Sequence, residues 1–268
     1  MNKGWLNKYL YVYKTQIIRS FTYKFDVYGN IIMQAIIMLT SAFFWRALFG
    51  DDVYKNGIDA ERMITYTIVS SLMSVCLTTT VERRIEEGVQ KGSVVMDMMH
   101  PVNIFGVYFA ENLGTVSALI FQNLLPVLII GSALLKIPAI ASASVIPLFI
   151  ISMAGSFLIN WLLAAVFGMF AFTAINMDAL IQVKKHLVRL LSGSIIPLWF
   201  FPDWLKTILE ALPFVYIYQL PLNIYVGGSS MTEIYGMMLV QLLWITILAT
   251  VFYILQKKVI RKLMVQGG

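Results

Sequence analysis

The sequence predicts an all-α polytopic membrane protein of six transmembrane helices. Three observations predict it. Of 268 residues, 59% are hydrophobic and only 13% are charged. The mean hydropathy is +0.78. The basic residues sit at the ends of apolar runs. A soluble domain is roughly 45–50% apolar and about 25% charged, and a core of this size has too little volume to hide the excess. Lipid is the solvent that fits.

Residues 3–24 read as an interfacial helix. Lys3, Lys8, Lys14, Arg19 and Lys24 are mixed with Trp5, Tyr9, Tyr11, Tyr13 and Phe21. Lysine stems can snorkel while the rings sit at headgroup depth. This stretch lacks a compact apolar region with a small-residue cleavage site, so targeting is expected from the first span.

Six spans follow, at about residues 27–48, 63–81, 104–135, 145–174, 187–201 and 234–256. About 20 residues of helix cross the hydrocarbon at 1.5 Å each. Span three is long enough to tilt, and Pro126 after Gln122 and Asn123 is expected to kink it. Span five is short.

Charge orients the set. With both termini cytoplasmic, fifteen of the 20 Lys/Arg fall on the inside: five before span one, then Arg83, Arg84, Lys91, Lys184, Lys185, Arg189, Lys257, Lys258, Arg261 and Lys262. Arg46, Lys55, Arg62, Lys136 and Lys206 fall outside. The excess alternates loop by loop, as the positive-inside rule requires, and an odd number of spans would break it. The net charge of +6 therefore reads as topology and headgroup contact. A nucleic-acid surface would need a basic stripe free of the spans.

Two connections are unusual. Residues 82–103, ERRIEEGVQKGSVVMDMMHPVN, are polar at first, then amphipathic, and stopped by Pro101. They fit a short helix at the cytoplasmic surface. The methionines of VVMDMMH serve either as flexible filler or as an adaptable docking surface. Residues 197–228 are apolar and aromatic, but Pro197, Pro202, Pro213 and Pro221 cut them into pieces of about ten residues, which reach only about 15 Å. Two short helices dipping into the outer leaflet and joined near Pro213 are expected, with Asp203 capping the first through Leu212. Backbone broken at that depth must be buried in protein or line a wet cavity.

No linker or repeat divides the chain, so residues 1–268 read as one domain. No enzyme motif is present. GVQKGS (residues 88–93) has the wrong spacing for a phosphate loop, and no zinc-protease or hydrolase motif occurs. His100 and His186 fall in cytoplasmic segments, where a surface role outweighs that of a catalytic base. Cys76 is alone and acts as a small hydrophobe. No metal or cofactor set is expected in this chain. Glu111 lies two turns into span three, where a carboxylate costs about 2.5–3.5 kcal/mol. It is therefore near the interface, or it faces protein, water or a basic partner. Gln34, Gln122, Asn123, Asn160 and Gln241 either hydrogen-bond between helices or line a path.

The order of parts resembles an ABC-2 type transporter permease, across essentially the whole chain. EEGVQKG…MMHPVN (residues 86–103) and SGSIIPLWFFPDWLKTILEALPF (residues 192–214) are similar to the subgroup of short bacterial permeases made without a fused ATPase. One departure is the Val-Val-Met-Asp-Met-Met run, where such permeases often carry leucines. The resemblance implies a non-catalytic exporter subunit in the bacterial plasma membrane. It implies a dimer with an identical or sister permease, and docking to separate ATPase subunits that bind ATP and magnesium. It implies a coupling helix in which Glu82, Arg83, Arg84, Glu86 and Glu87 offer charge around Gly88, and Val94, Val95, Met98 and Met99 offer apolar contact before Pro101. It implies an outer gate at Pro197, Phe201, Pro202, Trp204, Pro213 and Phe214. The family exports lipids, glycolipids, peptides and drugs among other substrates; nothing in the sequence selects among them, and an apolar path lining would favour an amphiphilic lipid, peptide or drug. The alternative is a stand-alone ion-coupled carrier, which would place paired ionisable residues near the midplane; Glu111 is its one candidate.

Overall fold

A computed structural model describes residues 3–22, 24–49, 60–93, 102–129, 143–172, 177–227 and 229–266. Among these residues the secondary structure is entirely helical. Five stretches are long and apolar enough to cross a membrane: Val27–Phe49, Ala60–Gln90, Ile104–Ile129, Ile146–Phe172 and Met231–Val259.

The first helix, α1 (Lys3–Ser20), lies along a later one, α5 (Ile104–Leu119). The Tyr13 hydroxyl donates to Ser117 Oγ at 3.0 Å and Gln16 Nε2 to Thr115 Oγ1 at 3.0 Å. Glycines permit this approach: a Cβ on Gly114 would lie 2.7 Å from the Tyr13 carbonyl oxygen, and one on Gly106 would lie 2.9 Å from the Tyr9 ring. The expected aromatic and basic helix is thus packed against the bundle along much of its length.

Next, α2 (Lys24–Phe49) runs antiparallel to α3 (Ala60–Cys76). Gln34 meets Ser71, and Trp45 Nε1 donates to Thr67 Oγ1 at 2.8 Å. A break at residues 77–80 separates α3 from α4 (Val81–Gln90), which ends at Gly92 with φ +68. At that left-handed position glycine carries no Cβ penalty.

Asn103 caps α5, its side chain accepting from Phe105 N at 3.0 Å and Gly106 N at 3.4 Å. The helix then widens into a π turn at Ile120–Leu124 and continues to Ile129. The disturbance expected of Pro126 takes this form. A proline ring clashes with the carbonyl one turn back and offers no N–H, and an extra residue in the preceding turn relieves both.

The fourth apolar helix, α6 (Ile146–Gly168), closes with a 3₁₀ turn at Met169–Phe172. It runs beside α10 (Met231–Gln266) in the same direction: Gln241 meets Ser152, and the Trp161 and Phe252 rings meet lower down. Ser230 and Glu233 form a reciprocal capping box that starts α10, with Ser230 N donating to Glu233 Oε2 at 2.9 Å and Glu233 N to Ser230 Oγ at 3.3 Å.

Because α6 and α10 point the same way, the chain must return between them. The span expected at 187–201 is corrected here. The helix present is α7 (Met177–Leu191), which ends near where that span was to begin. Residues 192–197 bend, with Gly193 at φ +80, and a 3₁₀ turn follows at Leu198–Phe200. The helix starts earlier because Asp178, Lys184, Lys185, His186 and Arg189 share it with apolar residues. Such a helix can fold against protein without being uniformly apolar. It still runs antiparallel to α3, since Lys184 meets Thr79 while Ser194 meets Ser70.

Two short helices follow, α8 (Asp203–Glu210) and α9 (Val215–Val226), joined around Pro213. Their existence agrees with the proline spacing. Asp203 is the first residue of α8 rather than its cap, and Pro202 holds the cap position. Most of α9 is buried, against α6, α3 and α10, despite Pro221 inside it. Elsewhere Ile32, Met33, Phe43 and Phe44 of α2, and Leu239, Leu242 and Leu243 of α10, face outward. Apolar side chains in that number suit a lipid surface.

Candidate functional site

The break between α3 and α4 is where the fold concentrates its polar contacts. Leaving the helix frees backbone groups that cannot stay unpaired inside a bundle. Two asparagines satisfy them. Asn112 of α5 donates from Nδ2 to Thr78 O at 3.0 Å and accepts the Thr80 N–H at Oδ1, 2.8 Å. Asn160 of α6 donates from Nδ2 to Leu77 O at 2.6 Å. Asn112 is fully buried.

Just past the break, three consecutive residues of α4 tie it to its neighbours. Glu82 Oε1 accepts from Lys184 Nζ of α7 at 2.8 Å, with both side chains at most 3% exposed. Thr79 lies between them, its hydroxyl donating to Glu82 Oε1 at 3.0 Å while accepting from Lys184 Nζ at 2.9 Å. Arg83 pairs with Asp178 at the start of α7 at 3.1 Å, and Arg84 Nε pairs with Glu111 Oε2 of α5 at 3.2 Å. Successive helical residues point about 100° apart, so neighbours in sequence reach different partners.

This geometry redistributes the expected coupling residues. Glu82 and Glu86 are buried, Glu86 beside Gln90 Nε2, so neither side chain lies on the outer face of α4. Burial also holds Gly88 inside. Glu87 is exposed and pairs with Lys91 at 3.5 Å, and Arg83 is 54% exposed. Val94, Val95, Met98, Met99 and Pro101 lie outside the described residues, as does His100. Glu111 resolves as a structural partner of Arg84.

Between α2, α3 and α7 lies a cavity of about 630 Å³. Gln34, Ser70, Ser71, Ser74, Asn160 and Tyr218 contribute to its wall, and Lys184, Lys185 and Arg189 line it from α7. Of the intramembrane polar residues singled out in the sequence, Gln34 and Asn160 therefore line a cavity. The others serve packing. Gln122 Nε2 donates to Ser20 O at 3.2 Å, and Gln241 Nε2 donates to the carbonyls of Ser152 and Tyr216, each at 3.0 Å. Asn123 is buried in the π turn.

Above the cavity, the bend after α7 is locked by Gln219 of α9. Its Oε1 accepts from Leu198 N at 3.1 Å and lies 2.7 Å from the Tyr66 hydroxyl, which lies equally close to the Gly193 carbonyl. A Cβ on Gly193 would collide with Gln219. The expected gate residues divide around this lock. Pro197 and Pro213 are buried, Phe201 and Phe214 are half-buried, and Pro202 and Trp204 are exposed.

Sequence reasoning missed Asn112, Asp178, Lys184 and Gln219 as site residues. Lys184 was counted among the cytoplasmic charges, and Asp178 was not singled out before the fold put it beside Arg83. Asn112 sits beside Glu111 and carried a signal: a second strongly polar residue in the same apolar helix. Among the described residues, no group of three or more His, Cys, Asp or Glu is placed to hold a metal ion.

A family model described as ABC-2 family transporter protein matches residues 25–267. No curated protein matches the chain.

Proposed function

The chain belongs to the ABC-2 family of transporter proteins, a multi-pass membrane protein, and from that membership we propose that it is the permease subunit of an ATP-driven exporter. Two copies, or one copy and a sister permease, enclose the path. Separate ATPase subunits dock from the cytoplasm and bind the ATP and magnesium. Both termini are cytoplasmic, in a bacterial plasma membrane. The return through α7 and the bend after it makes the sixth crossing, which keeps the alternation of basic loops.

The observation that carries this reading is the set of ties on α4. A helix next to the cytoplasmic ends of two spans is joined by ion pairs to α5 and α7, and α7 lines the cavity. Force applied to α4 therefore reaches the cavity wall without passing through a flexible loop. The exposed Glu87, Lys91 and Arg83, with the run at 94–99, form the docking face. Closure of the ATPases on ATP favours one arrangement of α4, and the protein follows by the difference in binding free energy. The α8 and α9 pair gates the outer end. Glu111, the acid that the sequence offered to an ion-coupled carrier, is engaged by Arg84, and the buried Glu82 is engaged by Lys184.

Tagged protein expressed with its genomic neighbours tests this. A stoichiometric ATPase should co-purify from detergent and be lost when Glu87, Lys91, Met98 and Met99 are replaced together. A protein that purifies alone, folded and at native abundance, would sink the proposal.

A further inference from the structure

The cavity between α2, α3 and α7 has a chemical asymmetry. Three cations line it, Lys184, Lys185 and Arg189, and no carboxylate does. Lys184 is neutralised by Glu82. Lys185 and Arg189 stand one helical turn apart on α7, on one face of the helix. Two adjacent cations at a partly wet cavity attract an anion with several acceptor oxygens.

The opposite wall accepts rather than donates. Ser70 Oγ gives its proton to Ser194 O at 2.7 Å, Ser71 Oγ to Gln34 Oε1 at 2.8 Å, and Ser74 Oγ to Ser71 O at 2.6 Å. Thr67 and Thr78 donate back to the carbonyls of Met63 and Ser74. With these protons spent, the hydroxyl oxygens offer lone pairs. A second observation points the same way. Asn160 lines the cavity at 7% exposure, its amide engaged by Leu77 O, while its buried Oδ1 has no partner. A buried acceptor left unpaired costs free energy that a ligand donor would recover. Ile37, Leu77, Val188 and Ile195 complete the lining with apolar surface.

Cations on α7, acceptor hydroxyls on α3 and apolar side chains among them suit a ligand with an anion, hydroxyl donors and a hydrocarbon portion. We propose that this cavity binds a polyol phosphate, with the phosphate on Lys185 and Arg189 and the polyol hydroxyls on the Ser/Thr wall and Asn160. This rests on the transporter reading and names the class of its cargo. The same headgroup chemistry exists on a glycerophospholipid and on a soluble polyol phosphate, so the test separates the two.

The full chain is placed in phosphatidylcholine nanodiscs. Binding of dihexanoyl phosphatidylglycerol, dihexanoyl phosphatidylcholine and glycerol 1-phosphate is measured by calorimetry. Phosphatidylglycerol or glycerol phosphate should bind, and phosphatidylcholine should not. Tighter binding of the lipid identifies a lipid cargo; equal binding of glycerol phosphate identifies a soluble one. Lys185→Gln with Arg189→Gln should weaken binding at least about tenfold, the loss expected for charge-assisted hydrogen bonds. Lys185→Arg with Arg189→Lys should retain it, as should Lys206→Gln. Asn160→Leu should weaken it severalfold. Raising salt should weaken binding to the unaltered protein, a readout that needs no variant to fold. Equal binding of phosphatidylcholine, or no change in the double glutamine variant, overturns the proposal. Co-purification of the ATPase with that variant is measured in parallel. Retained ATPase with unchanged ligand binding defeats the cavity assignment alone, whereas absence of any ATPase defeats the transporter reading.

Discussion

Lys184 and Glu82 set the largest stake held by single side chains. Both are nearly sealed from water, and their 2.8 Å contact is reinforced by Thr79. Removing one partner strands a buried charge, which typically costs about 3–5 kcal/mol, whereas removing both costs much less. Lys184→Met should therefore lower the thermal midpoint sharply, and Glu82→Gln combined with Lys184→Met should recover much of the loss. Equal losses for the single and double variants would show that the pair is not coupled. Arg83→Ala is the contrast. Its pair with Asp178 is more than half exposed on both sides, and such pairs contribute at most about 1 kcal/mol. Stability should hardly move, while ATPase co-purification should fall if Arg83 belongs to the docking face. Gly193 is a third case. At φ +80 and against Gln219, it has neither the conformation nor the space for a side chain. Gly193→Ala should destabilise by more than the ~1–2 kcal/mol left-handed penalty alone.

At the scale of elements, periodicity and hydropathy located the starts of the long helices α2, α3, α5, α6 and α10 to within about three residues, because lipid demands continuous apolar helix; α10 runs ten residues past the expected end at 256, and the expected end of the third span at 135 lies outside the described residues. The proline spacing also gave away α8 and α9, since Pro202 and Pro213 stop a helix wherever it lies. The same logic failed at α7. A helix that buries Lys184 against another helix's glutamate is not uniformly apolar, so hydropathy set the expected segment, 187–201, to begin ten residues after α7 begins at Met177. The partner residue lies 102 positions away in sequence, and no local pattern announces it. The break at residues 77–80 was hidden for a similar reason: its stabilisers, Asn112 and Asn160, belong to other helices. Asn112→Leu should unpair the Thr80 N–H and the Thr78 carbonyl, costing about 1–3 kcal/mol for each group, read as a lowered thermal midpoint. On α5, Gly114→Leu should force α1 away, because the obstacle is the Tyr13 backbone oxygen at 2.7 Å and not a movable side chain. Increased protease cleavage between α1 and α2 would report the displacement; unchanged cleavage would contradict it.

For the whole molecule, the topology makes a prediction that needs no partner. On the proposed six-crossing topology, alternation of basic loops would put Glu87 inside and Trp204 outside. With Cys76 replaced by alanine, Trp204→Cys should react with a membrane-impermeant maleimide in intact cells. Glu87→Cys should react only after the membrane is opened. Labelling of both from outside would refute the six-crossing arrangement, including the passage through α7. The cavity and its charge asymmetry exist only at this scale. Composition gave a net charge of +6 and explained it as orientation. Lys185 and Arg189 fit that account, yet the fold also brings them to the rim of a cavity lined by Gln34 and Ser71 from other helices. Gln34 and Asn160 were visible in the sequence as polar residues with two open roles. The fold gives each of them both a hydrogen bond to another element and a place in the cavity wall, and that is information held in packing alone.

The three ties at Glu82, Arg83 and Arg84 also fix what kind of motion α4 can make. A rigid rod joined at one point can pivot and spin freely. One joined through contacts that fan around its circumference to two separate bodies keeps few degrees of freedom. Rolling α4 about its own axis would stretch the Lys184 and Glu111 contacts in opposite senses. Sliding or lifting it would load α5 and α7 through these pairs and α6 through the packing beneath. In the transporter proposed above, the linkage would act as a pushrod rather than a crank, and a stroke delivered at the exposed face of α4 would reach the cavity as displacement rather than twist.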